Sequence, residues 1–206
     1  SPDIMPIKVD KEYLKTPIIP FDAAEKAHIP VWITEISDVT PLDTSIQDGL
    51  KWAVTFHNYL TKANVNAIIW WGGAMPTSNN ESLIILNKNR KDYTLSKRYD
   101  ILGNYSRYIS EGSTRIQVTQ PKNKDLLVSA YKKNDKYILV AINLSEKTIS
   151  TNIRLDGANI KGALKQFITN KDNRWNKTNI VPVSNKYYNL TIPQFSIVTL
   201  VGKVHL

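Results

Sequence analysis

The chain has 206 residues, no cysteine and a formal net charge of +9. Lacking thiols, it excludes disulfides, cysteine-based zinc sites and thiol catalysis. No apolar run approaches the roughly 20 residues that span a membrane. The charge raises nucleic acid as a partner, but the basic groups at Lys88-Asn89-Arg90-Lys91 and Lys132-Lys133 are not interleaved with aromatics as a stacking platform requires. They read as solvated loops, so neither nucleic acid nor a membrane is expected. A basic surface also suits an acidic polysaccharide.

Residues 1–20 carry Pro2, Pro6, Pro17 and Pro20 and read as an extended loop, the tail of an earlier repeat. Ser1-Pro2-Asp3 opens without a charged n-region and apolar h-region, which is also how a mature secreted chain reads. A helix is expected from Phe21 to Ile29, stopped by Pro30. Val31-Trp32-Ile33-Thr34-Glu35-Ile36 then runs almost unbroken in apolar and β-branched residues, as a strand buried on both faces does. After a loop from Ser37 to Asp43, a second helix is expected from Thr44 to Ala63. Thr44 or Ser45 would cap it, and Gln47 or Asp48 could close a capping box. Ile46, Leu50, Ala53, Val54, His57 and Leu60 mark its buried stripe. A second buried strand, Ala67 to Trp71, ends at Gly72-Gly73. Strand, helix and strand within about 35 residues make a βαβ unit.

Gly72 to Asn80, GGAMPTSNN, reads as a turn-rich loop, Ser82–Leu86 as a short apolar run and Asn87–Lys91 as a turn. Ser96 should cap a third helix to about Ile109, with Tyr99, Leu102, Ser106 and Ile109 on one side. From Gly112 the pattern changes. Short alternating segments recur at Thr114–Val118, Leu126–Tyr131, Tyr137–Asn143, Thr148–Leu155, Ala163–Thr169, Tyr187–Ile192 and Ser196–Val201. Lys133-Asn134-Asp135, Asp156-Gly157 and Lys171-Asp172-Asn173 separate them as turns. This spacing predicts an antiparallel sandwich, with a domain boundary near residue 111.

One acid, Glu35, interrupts the first buried strand near its C-terminal end. A carboxylate there is either held in a structural ion pair or stands where the strand opens into a site. Trp70 and Trp71 end the second strand, and an indole face can pack on the apolar face of a sugar ring. Successive strand residues point to opposite sides, so only one of the two should face a site. Trp32 reads as core. Trp175 could touch a sugar or cover a hydrophobic edge. His28, His57 and His205 lack metal-ligand spacing, so no metal and no cofactor is expected. Asn104, Asn143, Asn176 and Asn189 open glycosylation sequons, which matter only in a glycosylating host.

VWITE, then IIWWGG, then Leu95-Ser96-Lys97-Arg98-Tyr99, then Ser106-Arg107-Tyr108-Ile109 resembles the closing portion of glycoside hydrolase family 30, above all its bacterial xylanases. The ordered set covers nearly the whole chain. The resemblance implies an α/β plus all-β fold: the C-terminal part of a (β/α)8 TIM barrel over residues 1–111, with strands 7 and 8, then a β-sandwich over 112–206. Glu35 would be the nucleophile at the end of strand 7, and the barrel places active sites at that end. Of the tryptophans, Trp70 would face the site and Trp71 would pack elsewhere. The implied activity is retaining endo-β-1,4-xylan hydrolysis by a secreted or extracellular enzyme of plant cell-wall polysaccharide.

Retaining hydrolysis needs a second carboxyl group about 5–5.5 Å from the first. In the family it follows an asparagine at the end of strand 4, and no such strand precedes Glu35 here. Asn80-Glu81 lies after the second strand and does not fit; Asp38 and Asp43 could reach the same face but break the pattern. A second polypeptide carrying the N-terminal barrel half, from a separate gene or a nicked precursor, is therefore expected as a partner. Glucuronoxylan-specific members carry an arginine four residues after the first tryptophan; here Ala74 stands there, so a neutral xylan or related β-glycan is the expected substrate. The competing reading is a non-catalytic carbohydrate-binding or wall-associated protein that keeps the aromatic platform.

Overall fold

The structure, a computed structural model, describes residues 18–89, 91–156, 162–184 and 187–203. Residues 1–17 of the loop expected over 1–20, Arg90, the glycine of the Asp156-Gly157 turn and His205 lie outside them. The chain divides into two compact units, Ser1–Arg98 and Tyr99–Leu206. The division falls inside one helix; the boundary expected at residue 111 lies just beyond that helix. No described helix is long and apolar enough to cross a membrane.

The first described element of the first unit is a short helix α1, Asp22–Lys26, which buries none of its residues. It is shorter than expected, because His28 turns into the left-handed region at φ 53° and ends the helix before Pro30 is reached. Strand β1, Trp32–Ile36, is followed by helix α2, Ile46–Thr61. Ser45 caps α2 by accepting the Asp48 N–H at 3.4 Å. The buried face of α2 is broader than the expected stripe: it adds Trp52, Phe56, Asp48 and Asn58, whereas Leu60 is only half-buried. Strand β2, Ala67–Trp70, pairs parallel with β1, Trp32 beside Ala67 and Ile36 beside Trp70. The result is one βαβ crossover, the repeat of a barrel-like fold.

Beyond β2 the expected loop is in part a strand. β3, Gly72–Met75, runs parallel to β4, Ser82–Leu86, and β5, Tyr93–Leu95, pairs antiparallel with β4. The two strands approach closely at Gly72, where a Cβ would come within 2.5 Å of the Glu81 carbonyl oxygen; only glycine fits.

Helix α3, Lys97–Ser106, starts in the first unit and continues into the second. Its buried residues are Arg98, Asp100, Ile101, Asn104 and Tyr105, with Tyr108 just beyond, rather than the expected row of Tyr99, Leu102, Ser106 and Ile109. The asparagine of that face is satisfied, so it can be buried. Asn104 donates to the Thr199 hydroxyl at 3.1 Å and accepts from Thr169 at 2.7 Å.

The second unit holds two antiparallel sheets. β6 (Thr114–Ile116), β7 (Leu126–Lys133), β8 (Lys136–Asn143), β10 (Leu164–Thr169), β11 (Asn176–Ile180) and β14 (Ser196–Lys203) form the larger, in the order β11-β10-β14-β8-β7-β6. β9 (Ile149–Arg154), β12 (Pro182–Ser184) and β13 (Tyr187–Ile192) form the smaller, in the order β12-β13-β9. Leu126, Ala141, Leu164, Val198 and Leu200 of the larger share one hydrophobic cluster with Tyr188, Leu190 and Ile192 of the smaller. β9 and β13 alternate inward and outward residues, as a sheet with one covered face does. β11 and β12 were not expected: β11 is polar and largely exposed, so it lacks the apolar alternation that marks the others. Asn143 is fully buried, and its amide donates to the carbonyls of Lys147, Ile192 and Pro193 at 2.8, 3.1 and 2.9 Å.

Candidate active site

Glu35 is exposed near the C-terminal end of β1 and makes no hydrogen bond or ion pair among the described residues. It is not the buried structural glutamate that an ion pair would require. Beside it, the Trp71 N–H donates to the Ile36 carbonyl at 2.9 Å, which ties the ends of β1 and β2 together.

The two tryptophans lie the opposite way from the expectation. Trp70 is 7% exposed: its ring meets Trp52 of α2 edge-on at 4.7 Å, and its Nε1 donates to the Glu81 carbonyl at 2.8 Å. Trp71 is 55% exposed. Alternation along the chain puts Trp71 on the exposed side with Ile69, which is 47% exposed, and turns Trp70 the other way, towards α2. Trp32 is not core but 61% exposed, because β1 and β2 form a two-stranded sheet with nothing else laid on that side among the described residues.

A buried polar network stands behind this strand end. The Asp38 carboxylate accepts from Lys51 Nζ at 2.5 Å, from the Trp52 indole at 3.3 Å and from the Thr40 N–H at 2.9 Å. Burial works against its charge, but the hydrogen bonds from Lys51 and Thr40 prevail and hold its pKa at about 2. Asp48, three residues before Lys51 and 3.5 Å from it, pairs with Arg98, a side chain wholly shut off from solvent. Burial raises the Asp48 carboxyl despite the pull of Arg98. Arg98 also donates to the carbonyls of Asp43 and Ser82 at 2.6 and 3.2 Å. Asn80 completes the set: it donates to Thr40 Oγ1 and Asp48 and accepts the Asp43 N–H at 2.6 Å. Asp43 itself accepts the Ser45 N–H at 2.7 Å. Asp38 and Asp43, which the sequence left free to reach the side of Glu35, are thus engaged elsewhere. The network was not foreseen. Its one sequence signal is the pair Asp48 and Lys51 at helical spacing inside an otherwise apolar face.

Ala74 is exposed on β3. His28 is exposed and His57 is buried in α2; no group of three metal-capable side chains occurs among the described residues. In the second unit, the Trp175 indole is half-buried: Arg107 lies 4.3 Å above its ring, Tyr99 is 5.6 Å away, and Nε1 donates to the Asp100 carbonyl at 2.8 Å. It covers α3.

The chain is 26% identical over 180 residues to the glucuronoxylanase XynC of Bacillus subtilis (strain 168), covering 83% of this chain and 39% of that protein. Its fold is similar to the glycoside hydrolase family 30 subfamily 8 xylanase Xyn30A of Clostridium acetobutylicum, at TM-score 0.77 and 23% identity, over 92% of this chain and 46% of that one. The chain is a relative of the family 30 xylanases, covering part of their length. A family 30 endoxylanase of Clostridium papyrosolvens C71 matches likewise, at TM-score 0.73 and 23% identity over 90% of this chain and 45% of that one. No protein-family model matches the chain. As a xylanase relative it spans about two-fifths of the curated protein it matches, and the part it spans includes a βαβ crossover whose first strand ends beside an open carboxylate.

Proposed function

We propose that this chain is the nucleophile-bearing part of a retaining, endo-β-1,4-xylanase-like glycoside hydrolase that acts outside the cell on plant cell-wall xylan. The observation that carries the reading is Glu35, exposed near the C-terminal end of a parallel strand in a βαβ unit, in a chain related to xylanases. Glu35 would attack the anomeric carbon and form a glycosyl-enzyme intermediate. A second carboxyl group would protonate the leaving oxygen and then activate water. Asp38 and Asp43 are engaged, so that group would come from the earlier βα units of the barrel, on whichever polypeptide carries them. Trp71, open beside the strand end, is the better placed of the two indoles to pack on a sugar ring; Trp70 would support it from the helix side. The second unit, with its two sheets on a shared core, would serve as the β-sandwich side domain.

The test is Glu35→Gln in an enzyme that contains this chain with the preceding barrel units. Turnover on xylan should fall by several orders of magnitude while xylo-oligosaccharide binding persists. Near-normal turnover would overturn the assignment. The engagement of Asp38 and Asp43 also suits a non-catalytic sugar-binding protein; that reading would stand if the unaltered assembly bound xylan without cleaving it.

A further inference from the structure

The loop between β1 and α2 has little regular structure, yet it must hold the end of β1 steady if Glu35 is to attack a fixed carbon. Three of its residues are tied down. Asp38, three positions past Glu35, is 6% exposed and bonded to Lys51 and to the Trp52 indole of α2. Thr40 accepts the Asn80 N–H at 3.0 Å through its carbonyl. Asp43 donates its N–H to Asn80 Oδ1 on one side, and its carbonyl accepts from Arg98 on the other. Trp52, bonded to Asp38, also meets Trp70 edge-on. A single side chain on α2 thus touches the residues that follow one strand end and terminate the other.

Stability alone is a weak reason for such a cluster. Well-packed apolar residues of similar volume often stabilise as well as buried ion pairs do. What a charged, hydrogen-bonded network adds is one fixed geometry. We infer that Asp38, held by Lys51 and Trp52, is a positioning residue that sets Glu35 and the Trp70–Trp71 strand end in register with each other. The inference rests on the role proposed for Glu35. Asp38 does not touch substrate in this picture; its carboxylate points into the helix layer.

The experiment compares Glu35→Gln, Asp38→Asn, Asp38→Glu and Trp52→Phe in the complete enzyme, with kcat, KM and the thermal midpoint measured for each. Misplacing a reacting group by about 1 Å can cost a hundred-fold in rate. Asp38→Asn should therefore lower kcat by roughly ten- to a hundred-fold while KM stays within about two-fold. Trp52→Phe, which removes only the indole donor and keeps an aromatic ring, should lower kcat in the same direction by less. Asp38→Glu, which keeps the carboxylate, should recover part of the loss. Normal kcat in a folded Asp38→Asn beside an inactive Glu35→Gln would overturn this inference and leave the proposed function standing. Full activity of Glu35→Gln would overturn the proposed function and this inference with it. Should Asp38→Asn fail to fold, Trp52→Phe decides: an unchanged kcat overturns the positioning role, and a fall in kcat at unchanged KM supports it.

Discussion

The Trp175 indole occupies the space that a Cβ on Gly103 would need, while its Nε1 donates to the Asp100 carbonyl in the preceding turn of α3. Two effects oppose each other in Gly103→Ala. Alanine favours the helix by about 0.8–1 kcal/mol over glycine, but forcing a methyl group into a filled site costs about 1–3 kcal/mol. The second wins because Trp175 is held by Arg107 above and by its hydrogen bond, and has little room to yield. Gly103→Ala should therefore lower the stability of the second unit by up to about 2 kcal/mol, read by urea denaturation, with a change in tryptophan fluorescence. A more stable variant would contradict this.

Arg98 and Asp48 form the most enclosed ion pair among the described residues of the first unit. Removing one member leaves the other buried and only partly compensated. Arg98→Met should cost about 3–5 kcal/mol, because Asp48 keeps only Lys51 at 3.5 Å and the Asn80 amide, and the Asp43 and Ser82 carbonyls lose a donor. Denaturant midpoints of the variant and the parent decide it; a loss under 1 kcal/mol would mean that water reaches the site.

The stability of the first unit should depend on pH through Asp38. Its carboxyl is held at about 2 in the folded chain, against the ordinary 3.8. A depressed folded value means that the contribution is present above pH 4 and is lost as pH falls through about 2. Asp48 is shifted the other way, so its part runs opposite in sign: the folded state binds its proton more readily, and acid favours it. Comparing the parent with Asp38→Asn isolates the first effect. The parent should keep its full advantage above pH 4 and lose it as the pH falls towards 2. An advantage independent of pH would contradict the assignment.

Ala74 leaves the exposed end of β3 without a cation. If the proposed function holds, linear xylan and methylglucuronoxylan should be cleaved at similar rates. Ala74→Arg should shift the ratio towards the uronic substrate by roughly ten- to a hundred-fold, the equivalent of about 1.5–3 kcal/mol for a charge-assisted hydrogen bond. Strict dependence of the parent on the uronic branch would refute the idea.

Much of this was legible in the chain. The crossover from Trp32 to Trp70 follows from two apolar runs flanking a helix with a serine cap and a period of 3.6. Seven strands of the second unit announced themselves by alternation. What escaped notice escaped for physical reasons. β11 is an exposed edge of Asn, Lys and Thr, which carries no burial signal. The buried row of α3 reads as polar because its asparagine and aspartate find partners far away in sequence, such as Thr169, Thr199 and Arg174. Alternation puts Trp70 and Trp71 on opposite sides, but which of the two the helix layer covers depends on Trp52, a contact between residues eighteen positions apart. The same holds for Asp38: nothing in the loop sequence says that its carboxylate turns inward to a lysine and an indole thirteen and fourteen residues on.

Three of the five sequons sit where no sugar can go; the fifth, besides the four named from the sequence, is Asn80-Glu81-Ser82. Asn80, Asn104 and Asn143 are all buried and spend their amides on internal partners, whereas Asn176 and Asn189 are exposed. Oligosaccharide transfer in a eukaryotic secretory pathway acts on the nascent chain, before burial can protect a site. A glycan added to Asn143 would be locked out of the space between Ile192 and Pro193, and the strands around it could not close. Production in yeast or mammalian cells should therefore yield a glycosylated, misfolded fraction that a bacterial host does not make. Ser106→Ala would silence the Asn104 sequon at an exposed position, but Asn143 offers no such remedy, since Ser145 is itself bonded to it at 2.8 Å.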